Sequence, residues 1–224
     1  MRSDRRRILQ LLVGTLSTLR LRTAGAASQN LVDDAHHLLL ALKAHALRRY
    51  LTDWPAPDAA RRTIEPAGVP VLRFFPELAA HARPFSAHFV RALIAGAGKL
   101  AWRQSYTRAQ VGDAFLQNYG WAELIGLSGQ TASQYLACGV LLLGPNTAYP
   151  PHRHEAEEVY VPLVGRAWWQ RGDQVPRPEE EGNVIHHDPF EIHAMRTETA
   201  PLLALYLWRS RNLAQKSQLV ITAE

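Results

Sequence analysis

From Gln134 onward the chain is written in short apolar runs, and this cadence limits the fold more than any other feature. The runs are Tyr135–Leu143, Glu157–Leu163, Arg166–Arg171, Asn183–His187, His193–Thr197 and Leu202–Arg209, parted by Gly, Pro, Asn and Asp. Short strands at fairly even spacing predict a β-sandwich or barrel. In the last run Ala204, Tyr206 and Trp208 share one face, and Leu203, Leu205 and Leu207 take the other. Successive strand residues point to opposite faces, so one set should line an interior and the other should pack under helices. Trp168 and Trp169 likewise point opposite ways, so one of them can reach inside.

The preceding part follows a helical period. Leu31, Ala35, Leu38, Leu39, Leu42, Ala46 and Leu47 predict a helix over 29–52, with Asp33 and Asp34 early and Arg48 and Arg49 late. That charge order suits the helix dipole. Prolines 55, 57, 66 and 70 break residues 53–72 into a loop-rich connection. Further helices are expected over 87–102 and 107–117, ending at Asn118-Tyr119-Gly120. The expected organisation is mainly β with α. A helical region, 27–130, packs on a barrel, 131–215. Glu179-Glu180-Glu181 reads as a solvated turn, and His36, His37 and His45 as surface groups.

The net charge of +5 is all in the first thirty residues, where six arginines stand against Asp4. The rest of the chain balances, so no basic face for a nucleic acid is expected. No run of 18 apolar residues exists, and no transmembrane segment is expected. A single cysteine, Cys138, rules out an internal disulfide and a cysteine-rich zinc module. Residues 1–26 read as an amphipathic N-terminal helix and a cytoplasmic protein. The alternative is periplasmic export, because Arg5-Arg6-Arg7-Ile8-Leu9 is like a twin-arginine signal and Ala24-Gly25-Ala26 like a cleavage site.

The chemistry concentrates between Gly144 and Tyr160. If this stretch enters a strand near His152, then His152, His154, Glu158 and Tyr160 fall on one parity. Two imidazoles, a carboxylate and a phenol on an inner face are costly without partners. A divalent ion removes much of that cost. His193, opening its own strand after Asp188-Pro189-Phe190-Glu191-Ile192, is the preferred further ligand. His186 and His187 compete with it, and at most one of that adjacent pair can face inward. Three histidines and a glutamate suit Zn, Fe, Mn, Co or Ni.

The full pattern is H-x-H, three residues, E, six residues, G, ending at Gly165. It resembles the first motif of the cupin superfamily, whose members are double-stranded β-helix barrels with a metal inside. Gly144 lies further ahead of His152 than the opening glycine of that motif usually does. Residues 189–193 resemble the second motif. Tyr149, Tyr160 and Phe190-Glu191-Ile192-His193-Ala194-Met195-Arg196 narrow the resemblance to the dimethylsulfoniopropionate (DMSP) lyase family of cupins. So do Ala101-Trp102-Arg103-Gln104-Ser105-Tyr106, Gly112-Asp113-Ala114-Phe115 and Asn118-Tyr119-Gly120-Trp121 upstream. The resemblance covers roughly residues 99–210.

The resemblance implies a carbon–sulfur lyase that splits a small-molecule substrate, DMSP, into dimethyl sulfide and acrylate by β-elimination. One divalent transition ion would be held by His152, His154, Glu158 and His193. Tyr160 would be the base, with Tyr149 as alternate base or substrate donor. The sulfonium has no proton to donate, so aromatic faces should hold it, and Trp208, Tyr206 and Trp168 are the candidates. The resemblance also allows a homodimer through barrel edges. The alternatives are a cupin oxygenase or isomerase on another small carboxylic acid, and a non-catalytic metal-binding cupin.

Overall fold

The computed structural model describes residues 31–220. The expected export signal or helix over 1–26 lies outside them. The helices are α1 (31–41), α2 (Arg48–Thr52), α3 (Phe75–His81), α4 (Ala87–Gly96) and α5 (Arg108–Gln117). The strands are β1 (Tyr119–Gly126), β2 (Thr131–Ala132), β3 (Leu136–Leu143), β4 (Ala148–Arg153), β5 (Glu157–Val164) and β6 (Ala167–Arg171). They continue with β7 (Arg177–Glu179), β8 (Ile185–His187), β9 (His193–Thr197), β10 (Leu202–Arg209) and β11 (Gln218–Leu219). Among the described residues no helix is long and apolar enough to cross a membrane.

Two sheets form the barrel, one ordered β2-β1-β3-β10-β5-β8 and the other β11-β4-β9-β6-β7, the arrangement that the cupin resemblance implies. Among the described strands every pairing is antiparallel except β1 with β2. The alternation in β10 sorts two cores. Leu203, Leu205 and Leu207 join Val140, Val161 and the buried faces of the helices, including Leu39, Phe89 and Leu93. Ala204 and Tyr206 face a second, more aromatic cluster inside the barrel, with Tyr119, Tyr149, Tyr160 and Trp169. Each fully buried leucine of the outer core contributes about 1.5–3 kcal/mol. A buried Ser86 hydroxyl donates to the Leu163 carbonyl at 2.7 Å and ties the start of α4 to β5.

Four local expectations change. The helix expected over 29–52 ends at residue 41, and Lys43 adopts a left-handed φ of 52°. The break re-aims the chain so that Leu47 and Tyr50 are fully buried against the sheet, and Arg209 then pairs with Asp53 at 2.6 Å. The helix expected over 87–102 stops at Gly96 and runs into a 3-10 turn, Ala97–Lys99. The sheet begins at Tyr119, because β1 pairs along most of β3 and belongs to the barrel and not to the helical region. Glu181 is also no free surface acid. It accepts from the Gly165 amide at 3.1 Å and pairs with Arg83 at 3.2 Å.

Gly165, which closes the histidine motif, makes the turn from β5 to β6 at φ +83°. A Cβ there would lie 2.2 Å from the Pro201 carbonyl oxygen, which is backbone and cannot step aside. Gly165→Ala is therefore expected to destabilise the fold by about 2–4 kcal/mol, from left-handed strain plus overpacking. Thermal unfolding checks this: a midpoint within a degree of the parent would mean that the turn relaxes freely.

Candidate metal centre

The histidines come together by register. In the β4–β9 pair His152 lies opposite His193, after an irregularity between Tyr149 and His152. Their ring centroids are 4.1 Å apart, and those of His154 and His193 are 5.1 Å apart. His154 lies just past β4, in the link to β5, so one unbroken strand does not carry the motif. Glu158 projects inward from β5. All four are buried, Glu158 fully.

Each imidazole is oriented by the backbone two residues away. His152 Nδ1 donates to the Pro150 carbonyl, His154 Nδ1 to Ala156 and His193 Nδ1 to Glu191, each at 2.9 Å. A carbonyl only accepts, so the Nδ1 proton is fixed and the Nε2 lone pair is left to a ligand. One nitrogen from each ring falls within 4.8 Å of the other two. Glu158 Oε2 lies 3.0 Å from His154 Nε2 and 3.1 Å from His193 Nε2. With neutral rings these are acceptors facing acceptors, and a shared cation resolves the conflict. Two ligands about 2.1 Å from a tetrahedral ion are about 3.4 Å apart, close to these separations. The donor set thus fits a borderline divalent ion.

Electrostatics point the same way. Burial, reinforced by His193, drives His152 well below the usual imidazole range, so it offers a lone pair at neutral pH. Burial raises Glu158, but without an ion the charge and donated hydrogen bonds of His154 and His193 outweigh it and hold the carboxyl well below its usual range, the part a bound cation would take over. Among the described residues His187 faces inward and His186 outward. His186 bonds Glu157 at 2.9 Å. His187 stacks on His193 at 4.1 Å, and burial pushes it down to about 3, yet it stands outside the converging triad.

A cavity of about 340 Å³ opens beside the histidines, lined by Tyr149, Glu158, Tyr160, Tyr206 and Trp208 among others. Tyr149 stacks on His152 at 4.2 Å, and its hydroxyl is 3.1 Å from that of Tyr106 and 3.5 Å from that of Tyr119. Tyr160 is buried next to Trp169, at 5.5 Å between centroids. Trp168 does not join the site. Its indole N–H donates to Glu198 on the outer surface, and Trp169 is the one that faces inside, because β6 pairs Trp169 with Met195 and Arg171 with His193. Tyr106, Tyr119, Trp121 and Glu123 were not singled out as site residues by sequence reasoning. The alternation of Tyr119, Trp121 and Glu123 was the available signal.

Trp208 does more than line the wall. Its ring packs on His154 at 4.1 Å and its N–H donates to Glu158 Oε1, at 2.5 Å. Partners that aim a ligand typically carry 10–100-fold in metal affinity. Trp208→Phe keeps most of the ring area and removes the donor, so metal affinity is expected to fall by about tenfold or more. Competition against a chelator measures this, and an unchanged affinity would leave Trp208 as wall only.

Residues 44–204 match the dimethylsulfoniopropionate lyase family model. The dimethylsulfoniopropionate lyase DddQ of Ruegeria pomeroyi is 36% identical over 118 residues, covering 53% of this chain and 59% of that protein. The chain thus aligns with about three-fifths of that relative's length. Among solved structures, a chain from the crystal structures of the DMSP lyases RdDddP and RnDddQII superposes with a TM-score of 0.79 at 34% identity, covering 88% of this chain and all of that one. DMSP lyase DddQ from Ruegeria pomeroyi DSS-3 superposes with a TM-score of 0.76 at 28% identity, covering 87% and 96%.

Proposed function

Because the chain belongs to the dimethylsulfoniopropionate lyase family, we propose that it cleaves DMSP to dimethyl sulfide and acrylate by β-elimination. The observation that carries this reading is the convergence of three Nδ1-locked histidines on one carboxylate, beside a cavity walled by phenols. A divalent transition ion held by His152, His154, Glu158 and His193 supplies, when bound, a Lewis acid for the substrate carboxylate and a positive charge beside Tyr160.

Tyr160 is the base. Its phenolate oxygen takes the proton next to the carboxylate, and the C–H electrons become the new carbon–carbon double bond. The carbon–sulfur bond breaks with its pair on sulfur, so the sulfonium leaves as a neutral sulfide. Burial first, and Glu158 second, push the Tyr160 phenol well above its ordinary range, so the base form needs a nearby cation. Tyr149 on the facing sheet positions the substrate, its hydroxyl anchored by Tyr106. Trp208 and Tyr206, which line the cavity, offer ring faces to the sulfonium, whereas Trp169 packs behind Tyr160 and backs that ring.

Purified protein loaded with metal, given DMSP and assayed for headspace dimethyl sulfide, tests this reading. Release that stops on chelation and returns with metal supports it. No sulfide from metal-loaded protein removes it.

A further inference from the structure

The cavity extends past the phenols to a wall the elimination does not use. In β1 the side chains of Tyr119, Trp121 and Glu123 turn toward the cavity, and Ala122 and Leu124 go to the outer core. Cross-strand register then lines up Tyr160, Tyr206, Gly139 and Glu123 in β5, β10, β3 and β1. Neighbouring strands are about 4.8 Å apart, so this is a continuous row from the proposed base to a carboxylate.

Gly139 matters to that row. A Cβ there would come within 2.7 Å of Tyr206 Cε1 and of the Tyr206 hydroxyl. The missing side chain lets the Tyr206 ring lie over β3 on its way toward Glu123. Trp121 meets Tyr206 nearly edge-on, at 6.4 Å and 84°, and Tyr206 meets Trp208 at 6.4 Å and 67°. Three ring systems therefore run along the cavity with one carboxylate beside them.

Glu123 is held in place and half-buried. Its Oε1 accepts from the Ser128 amide at 2.6 Å, the Ser128 hydroxyl at 3.0 Å and the Gly129 amide at 2.9 Å. Among the described residues no hydrogen bond reaches Oε2. Arg103 and Lys216 also line the cavity, but both are exposed, where water and salt screen them.

We propose that Trp121, Tyr206 and Glu123 form a subsite for an onium head group, and that the Glu123 charge makes the protein select cationic ligands over neutral thioethers of the same length. The inference rests on the lyase reading for the direction of the substrate, with its carboxylate at the histidines and its sulfonium toward β1. Aromatic faces attract a cation without protons, and a fixed carboxylate adds a charge that a neutral sulfur cannot use.

The test needs no turnover. Calorimetry on the metal-loaded full chain compares 3-(methylthio)propionate, which is neutral at sulfur, with 3-(trimethylammonio)propionate, a quaternary cation. The parent is expected to bind the cation about tenfold more tightly or better, and Glu123→Gln to lose about tenfold for the cation alone. The glutamine oxygen still accepts from Ser128 and Gly129, so the loop stays closed. Trp121→Leu, which leaves that loop untouched, is expected to cost the cation about three- to tenfold with the thioether unaffected. An unchanged ratio in both variants overturns the proposal, as does a parent that binds the thioether equally well, because Arg103 and Lys216 would then set the field. Failure of the lyase reading shows separately, as a parent that releases no sulfide from DMSP.

Discussion

His193→Ala, prepared with the metal that best supports turnover, is expected to lose dimethyl sulfide release by about a thousandfold or more. Lewis-acid stabilisation of a developing negative charge is worth several kcal/mol, and about 4 kcal/mol corresponds to that factor. The substitution removes one of three converging nitrogens and leaves His152, His154 and Glu158. It also strips Glu158 of one of the two imidazoles that hold its carboxyl down. A buried carboxylate with less compensation destabilises the fold, by as much as about 3–5 kcal/mol when a buried pair is broken. Metal stoichiometry and thermal unfolding of the metal-free proteins separate the two effects. His187→Ala is the control, because His187 touches His193 face to face but lies outside the triad. It should keep its metal. If His193→Ala kept both metal and turnover while His187→Ala lost them, the ion would be centred on β8 and not on β9.

The site was legible in the sequence where spacing is local and less so where register decides. His152 and His154 are next-but-one neighbours, and their partners at Glu158 and His193 follow from a known motif. The fold brings them together by another route than strand parity. A single strand parity does not join His152 to Glu158. A turn through His154 and Ala156 does, and the His154 ring is aimed by a carbonyl at Ala156. Sequence parity also separated Trp168 from Trp169 correctly, but only the pairing of β6 with β9 says which one faces in. Residues 119–126 were hidden for another reason. Asn118-Tyr119-Gly120 looks like a helix stop, yet Gly120 is small because a Cβ there would meet Val69 Cγ2 at 2.6 Å. The chain needs a glycine at that point in order to run as a strand under the helical layer. The break at Lys43 is likewise a tertiary event, since the helical period reads straight through it and only the burial of Leu47 and Tyr50 against the sheet demands the bend.

Tyr160→Phe is expected to reduce turnover by about 10²–10⁴-fold, the range for a lost general base, with metal content unchanged. Phenylalanine keeps the ring that packs on Trp169 and near His187, so only the hydroxyl is removed and the wall stays in place. The pH profile gives the sign. Burial and Glu158 both raise the phenol, so even with a cation beside it the base form gains with rising pH. The parent rate should climb as pH rises until the phenol ionises, and should fall as pH drops below that point. The residual rate of Tyr160→Phe should lack this limb, which a merely structural loss would not erase. Unchanged turnover in Tyr160→Phe would move the base to Tyr149, and Tyr149→Phe would then carry the collapse. The two phenols differ in a way that makes the assignment decidable. Tyr149 shares its hydroxyl with Tyr106 and stacks on His152, so losing its oxygen should first weaken substrate affinity and raise KM. Tyr160 lies two residues along the same strand face as Glu158, and if it is the proposed base the loss of its oxygen should fall on kcat.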